Sequence, residues 1–183
     1  MNPMLDVVAL SGSLRRKSAN TGLLRAAQQL APPEISIEIA EIGDLPLYNA
    51  DLAKPHPVER LVTRIAAADA LLFACPEYNY SISAPLKNAL DWGSREPANR
   101  SLDGKPAAIM GAGGRMGGSR VQYHLRQVCV YLNLYPLNKP EVFAHVNGDS
   151  FDADGNLMDE RVRKQVAEQM EAFAAWARRL RCV

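Results

Sequence analysis

The feature that most limits what this chain can fold into is a regular alternation. Short apolar runs take turns with longer segments whose apolar residues recur at helical spacing. The run from Leu5 to Leu10 is apolar at nearly every position. Such a strand must be covered on both faces, as the central strands of parallel sheets are. Leu23, Leu24, Ala27 and Leu30 then share one helical face, with Asn20 as the expected cap and Pro32-Pro33 as the stop. Ile35, Ile37 and Ile39 alternate with Ser36, Glu38 and Ala40 on the way to Ile42, which is the period of a strand. Val58, Leu61, Val62 and Ile65 return to helical spacing. Residues 70–75 and 107–111 give a third and a fourth strand, separated by a short helix that Ser83 and Pro85 open and that carries Leu86, Ala89 and Leu90. Val121, Leu125, Cys129 and Leu132 mark a fourth helix and Val142 to Val146 a fifth strand. Val162, Val166, Met170, Phe173, Ala177 and Leu180 keep helical spacing almost to the C-terminus. This alternation predicts an α/β fold of right-handed βαβ units, with helices on both faces of a five-stranded parallel sheet. Ligands of such sheets sit beyond the carboxyl ends of the strands, so the loops after the first, third and fourth strands are where chemistry is expected.

Composition narrows the class further. A chain of 183 residues with 48% apolar side chains is expected to form one domain, 1–183, whose core needs no disulfide or metal. The net charge of +1 argues against a general nucleic-acid binder. No apolar run reaches the roughly 18 residues that a membrane span requires. Asp6 interrupts the N-terminal apolar stretch and Arg15, Arg16 and Lys17 follow it, unlike a signal peptide. Cys75, Cys129 and Cys182 form no CxxC pair, and His56, His124 and His145 have no metal-ligand spacing. Cys75 ends a strand and reads as a buried small residue, and Trp92 and Trp176 as packing. Residues 152–156 imitate a calcium loop faintly, but Gly155 is misplaced and Arg163 stands where a bidentate glutamate belongs, so a turn is expected. The expectation is a cytoplasmic protein without metal, membrane or nucleic-acid partners.

The first loop, Gly12-Ser13-Leu14-Arg15-Arg16-Lys17-Ser18-Ala19-Asn20-Thr21, is neither a Walker A loop nor a GxGxxG turn. It offers hydroxyl and amide donors at Ser13, Ser18, Asn20 and Thr21, the cations Arg15 and Lys17, and the main-chain N–H groups of a helix start, Ala19 among them. That donor set suits a terminal phosphate monoester such as that of FMN. The second loop, Pro76-Glu77-Tyr78-Asn79-Tyr80-Ser81, could hold a flat heteroaromatic ring by its edge. Glu77 has no carboxylate or histidine partner in sequence, which favours a structural role or a main-chain contact over acid–base chemistry. The third loop, Gly111-Ala112-Gly113-Gly114-Arg115-Met116-Gly117-Gly118, signals a tight turn or a close approach.

Together, Gly12-Ser13-Leu14-Arg15 with Ser18 and Asn20, Pro76 to Ser81, and Leu86-Lys87-Asn88-Ala89-Leu90-Asp91-Trp92 resemble the NAD(P)H-dependent FMN reductase family. Gly117-Gly118-Ser119-Arg120 and Gln122-Tyr123-His124-Leu125-Arg126 resemble its quinone and chromate reductase subgroup. The motifs cover roughly residues 4 to 143. The resemblance implies a flavodoxin-like three-layer sandwich with strand order 2-1-3-4-5. It also implies FMN bound by Ser13, Arg15, Lys17, Ser18, Ala19 and Asn20 at the phosphate, and by Pro76, Glu77, Tyr78, Asn79, Tyr80, Ala112 and Gly113 around the ring. NADPH or NADH would be the cosubstrate, and a quinone, a flavin or a similar small molecule the acceptor. A homodimer is implied whose partner helps to wall the flavin site, with pairing into a homotetramer; Arg120, Tyr123 and Arg126 would lie near a contact with the Glu141 region, where Gly117-Gly118 allows close backbone approach. Two departures stand out. Gly111 and Ala112 occupy positions where many relatives carry hydroxyls, and Ser83 stands where proline is usual.

The mechanism so implied needs no protein catalytic residue: nicotinamide and acceptor visit one flavin face in turn, by a ping-pong sequence. The competing class is a flavodoxin-like electron carrier without its own NAD(P)H oxidation. Such carriers are usually acidic, and the near-neutral charge favours the enzyme.

Overall fold

A computed structural model describes residues 4–97 and 101–181. The strands are β1 (Leu5–Ser11), β2 (Ile35–Ala40), β3 (Ala70–Ala74), β4 (Glu77–Tyr78), β5 (Ser81–Ile82), β6 (Pro106–Gly113), β7 (Tyr135–Pro136) and β8 (Val142–His145). The helices are α1 (Ala19–Leu30), α2 (His56–Ala67), α3 (Ala84–Gly93), α4 (Ser119–Tyr131) and α5 (Glu160–Arg181). The main sheet has the order β2-β1-β3-β6, and every pairing in it is parallel. This is the flavodoxin-like order expected. The fifth position is shared: β7 pairs the start of β6 and β8 pairs its end, Met110 to Gly113. The sheet therefore has six strands where the periodicity predicts five, because a two-residue strand is too short to show a period.

The strand alternation sorts side chains into two cores. Leu5, Val7 and Ala9 of β1 pack with Leu23, Leu24, Met170 and Phe173 beneath α1 and α5. Val8 and Leu10 face the other way, into Val58, Leu61, Ile65, Leu86, Leu90 and Leu125 beneath α2, α3 and α4. Fully burying a side chain of this kind stabilises by about 1.5–3 kcal/mol, so the sheet buried on both faces dominates the fold.

Two boundaries differ from the sequence expectation. The cap of α1 is Ser18, whose Oγ accepts from the N–H groups of Asn20 and Thr21, and Asn20 lies inside the first turn. The glycine-rich stretch begins as strand: Gly111, Ala112 and Gly113 pair with Phe143, Ala144 and His145, and only residues 114–118 form the turn.

The segment after β8 returns to the start of the chain. Phe151 and Leu157 make an isolated antiparallel bridge, and Gly155, at φ +77°, presses on the backbone of Lys17 and Ser18. A Cβ at Gly22 would stand 1.8 Å from the carbonyl oxygen of Gly155. Gly22→Ala should therefore force α1 and this loop apart and cost about 1–3 kcal/mol. The check is the urea midpoint, and an unchanged midpoint would show that the loop yields freely.

Candidate functional site

At the carboxyl end of the sheet a cavity of about 500 Å³ opens between three loops. Ser13, Arg15, Lys17, Ser18, Ala19 and Asn20 form one wall. Pro76, Glu77 and Tyr78 form a second, and Ala112, Gly113 and Gly114 a third. The volume falls in the range that holds cofactors and drug-sized ligands. All of the residues expected at the site meet here except Asn79 and Tyr80, which are exposed and do not line the cavity.

Backbone geometry explains that exception. Asn79 and Tyr80 are the central residues of the two-residue turn between the antiparallel strands β4 and β5, with φ of +50° and +64°. A tight hairpin of this kind requires positive φ at both positions. Asparagine tolerates it, whereas tyrosine pays roughly 1–2 kcal/mol. The tyrosine ring is held in place by Arg120, whose guanidinium lies 3.8 Å from its centroid. Arg120 also pairs with Glu77, and Ser81 Oγ lies 2.9 Å from His124 Nδ1. The hairpin is thus fastened to α4 by three side-chain contacts. Glu77 has the structural role expected of it, with a cation from another element as its partner.

The phosphate-type loop is shaped by its own side chains. Asn20 Nδ2 donates to the Ala112 carbonyl and Asn20 Oδ1 accepts from the Ala112 N–H, each at 2.9 Å. Asn20 therefore joins two walls instead of offering its amide to a ligand, and Ser18 Oγ is engaged as the cap. Ser11 Oγ lies 2.8 Å from Thr21 Oγ1, which draws Thr21 out of the donor set as well. What remains for an anion is the start of α1, which has no acidic residue in its first turn, together with Ser13, Arg15 and Lys17. A helix N-terminus flanked by cations is a ready anion site. Lys17 Nζ lies 3.1 Å from Asp154 at the exposed rim.

A fourth wall was not expected. Val146, Phe151, Asp152, Ala153 and Gly155 also line the cavity. Asp152 Oδ1 accepts from the N–H groups of Asp154 and Asn156, and Asn156 Nδ2 donates to Asp152 Oδ2. The Asn156 side chain and main chain hold the Asp152 carboxyl below its ordinary pKa. Arg25 of α1 closes the loop from outside, with Nε 2.7 Å from Asn156 Oδ1 and Nη2 3.1 Å from the Asp154 carbonyl. The segment is the turn expected of it, but it is also a wall. The signal was available: it follows β8, at the same carboxyl edge as the other loops.

The remaining chemistry-bearing residues are inert or elsewhere. Burial pushes the Cys75 thiol up to about 11 and the Cys129 thiol up to about 12, so neither ionises near neutrality. Among the described residues no three histidine, cysteine or carboxylate side chains gather where a metal could bind, and no helix is long and apolar enough to cross a membrane. Gly117 makes its close approach within the chain, since a Cβ there would meet the Phe143 backbone at 3.0 Å. Arg126 is likewise engaged internally, with Asn138 Oδ1 and the Leu137 carbonyl.

The donor set and the cavity fit FMN. The cationic helix start matches a phosphate, and Glu77 Oε2, buried and without a protein donor, is an acceptor suited to a ring N–H. The model of the NADPH-dependent FMN reductase family matches residues 5–148. Over 99% of its length the chain is 51% identical to an NAD(P)H-dependent FMN reductase of Pseudomonas aeruginosa, covering 100% of that protein. It is 49% identical to an NADPH:quinone oxidoreductase of Arabidopsis thaliana, with 98% of this chain and 95% of that one covered. Among solved structures it superimposes on the flavoenzyme NAD(P)H:(acceptor) oxidoreductase FerB of Paracoccus denitrificans with a TM-score of 0.88, at 35% identity over 96% of this chain and 98% of that one. Three loops meeting at one phosphate-ready cavity on a flavodoxin-like sheet, and a match that runs through all of them, lead to one conclusion: the chain belongs to the NADPH-dependent FMN reductase family.

Proposed function

We propose that this protein is an FMN-dependent NAD(P)H oxidoreductase that passes electrons to quinones or similar small acceptors, in the cytoplasm and as a homodimer that can pair into a tetramer. The observation that carries the reading is the cavity itself, which joins a cationic helix start to the Pro76–Tyr78 wall and to the end of β6. FMN held at these residues would supply the hydride-transfer chemistry between nicotinamide and acceptor. The protein's part is to bind and orient. Arg15 and Lys17 supply positive charge for the phosphate, and Ser13 and the main chain of Ala19 supply donors. Ser18 and Asn20 hold those donors in place, while Pro76, Glu77, Tyr78, Ala112 and Gly113 enclose the ring. Asn79 and Tyr80 stand outside the lining, in the turn that Arg120 holds against α4. No residue is required to move a proton.

The decisive experiment is anaerobic rapid mixing of the FMN-loaded protein with NADPH or NADH. Bleaching of the flavin by the nucleotide alone is expected, and a requirement for a separate reductase would sink the proposal. Arg15→Ala should weaken FMN binding by roughly 1.5–3 kcal/mol, the scale of a charge-assisted hydrogen bond, and leave riboflavin almost untouched. Fluorescence titration checks this, and equal losses for both ligands would place the phosphate elsewhere.

Nicotinamide and quinone share one face in this reading, so steady-state kinetics should give parallel double-reciprocal lines and mutual competition at high concentration. Intersecting lines with a quinone acceptor would rule out a shared face. The dimer is supported by α4, where Tyr123, Val130 and Tyr131 are 63%, 80% and 76% exposed and stand at helical spacing on one face. Of the α4 residues expected at a contact, Tyr123 is the one not already engaged within the chain. Light scattering at micromolar concentration should report a mass above that of one chain. A monomer with full flavin content and activity would overturn the assembly.

A further inference from the structure

The phosphate-type loop has a second side. Residues 13–16 also form one wall of a separate cleft of about 580 Å³, whose other wall is the segment from Ile39 to Asp44 that leaves β2. Arg15 borders both spaces, whereas Arg16 borders this one alone. Both side chains are exposed, and neither guanidinium forms an ion pair or hydrogen bond among the described residues. Of the two carboxylates across the cleft, Asp44 is paired with a cation and Glu41 bonds the main chain. Asp44 Oδ2 accepts from Arg60 Nη2 at 2.7 Å, and Glu41 Oε1 accepts from the Gly43 N–H at 3.0 Å. Leu14, 56% exposed, adds an uncovered apolar surface beside the two arginines. Unpaired guanidinium forks next to an apolar face suit a phosphorylated nucleoside, the phosphate on the forks and the base on the face.

We propose that this cleft receives the adenosine end of the pyridine nucleotide and that Arg16 recognises its 2′-phosphate, so that the protein discriminates NADPH from NADH. The inference rests on the oxidoreductase reading above. Two chemistries can read the ribose of such a nucleotide: a carboxylate accepts from a free 2′-hydroxyl, and an arginine fork accommodates a 2′-phosphate. Glu41 lines the cleft one residue beyond β2, but its Oε1 already accepts from the Gly43 N–H. Arg16 is the free group, and the balance favours the phosphate. Arg15 also borders the flavin cavity, where the proposed function sets it at the FMN phosphate, and Arg16 is the guanidinium that faces this cleft alone.

The test uses the FMN-loaded protein, titrated calorimetrically with adenosine 2′,5′-bisphosphate and with 5′-AMP while flavin fluorescence is followed. The bisphosphate should bind about tenfold or more tightly than 5′-AMP, the scale of one charge-assisted contact. Arg16→Gln should bring the two affinities together, and Arg16→Lys should keep part of the difference. In rapid mixing, Arg16→Gln should lose a similar factor with NADPH and keep its rate with NADH. Equal binding in the unmodified protein, or a preference that survives Arg16→Gln, overturns the proposal. So does a preference for NADH that Glu41→Gln abolishes, or release of FMN by the bisphosphate, which would put both phosphates in one site. If the bisphosphate preference follows Arg16 but neither nucleotide bleaches the flavin, the cleft stands and the oxidoreductase reading fails.

Discussion

The site depends on one side chain completing a sheet. β3 pairs β6 only as far as Met110, and beyond that point the β6 edge has lost its neighbour. Asn20 takes over, giving Ala112 a donor and an acceptor as a further strand would. Both residues are buried, at 4% and 3% exposure. A main-chain group left unpaired there costs about 1–3 kcal/mol. Few side chains other than an amide can satisfy both groups at once. The pair fixes the first turn of α1 against the end of β6. The cap at Ser18 and the loop before it, which would cradle the phosphate, inherit their position from that bond.

Much of this was legible in the chain. The two-sided core follows from β1, where apolar residues at consecutive positions demand cover on both faces. The residues of the first loop could be picked out because serines, asparagine and cations cluster at the carboxyl end of a strand. Their division of labour could not. Whether Asn20 faces a ligand or Ala112 depends on a contact across 92 positions of sequence, which no local pattern records. Tyr80 misled for a related reason. An aromatic residue in a cofactor loop suggests a ring contact, and nothing in its identity announces a left-handed turn residue held by Arg120. The position of residues 151–157 after a strand places them at the carboxyl edge, but their contact with the first loop comes from packing on α1, which no local pattern records.

Charge is used sparingly and locally. The chain is nearly neutral overall, yet carboxylates near the site are matched with partners: Glu77 with Arg120, Asp154 with Lys17, Asp44 with Arg60. That pairing leaves Arg15 and Arg16 as local positive charge at the loop where anions are expected. A site can therefore attract phosphates without the whole surface doing so, which spares the protein from nonspecific association with polyanions.

The packing of Gly155 against Lys17 and Ser18 also sets an order in time. The loop nearest the N-terminus is among the first parts of the chain to be synthesised, but the wall beside it comes from residues 151–157 and the helix that anchors them follows at 160–181. A nascent chain still lacking that last stretch carries the phosphate-type loop without its support. The support of the first loop is thus set late, once residues 151–157 and α5 have packed against α1.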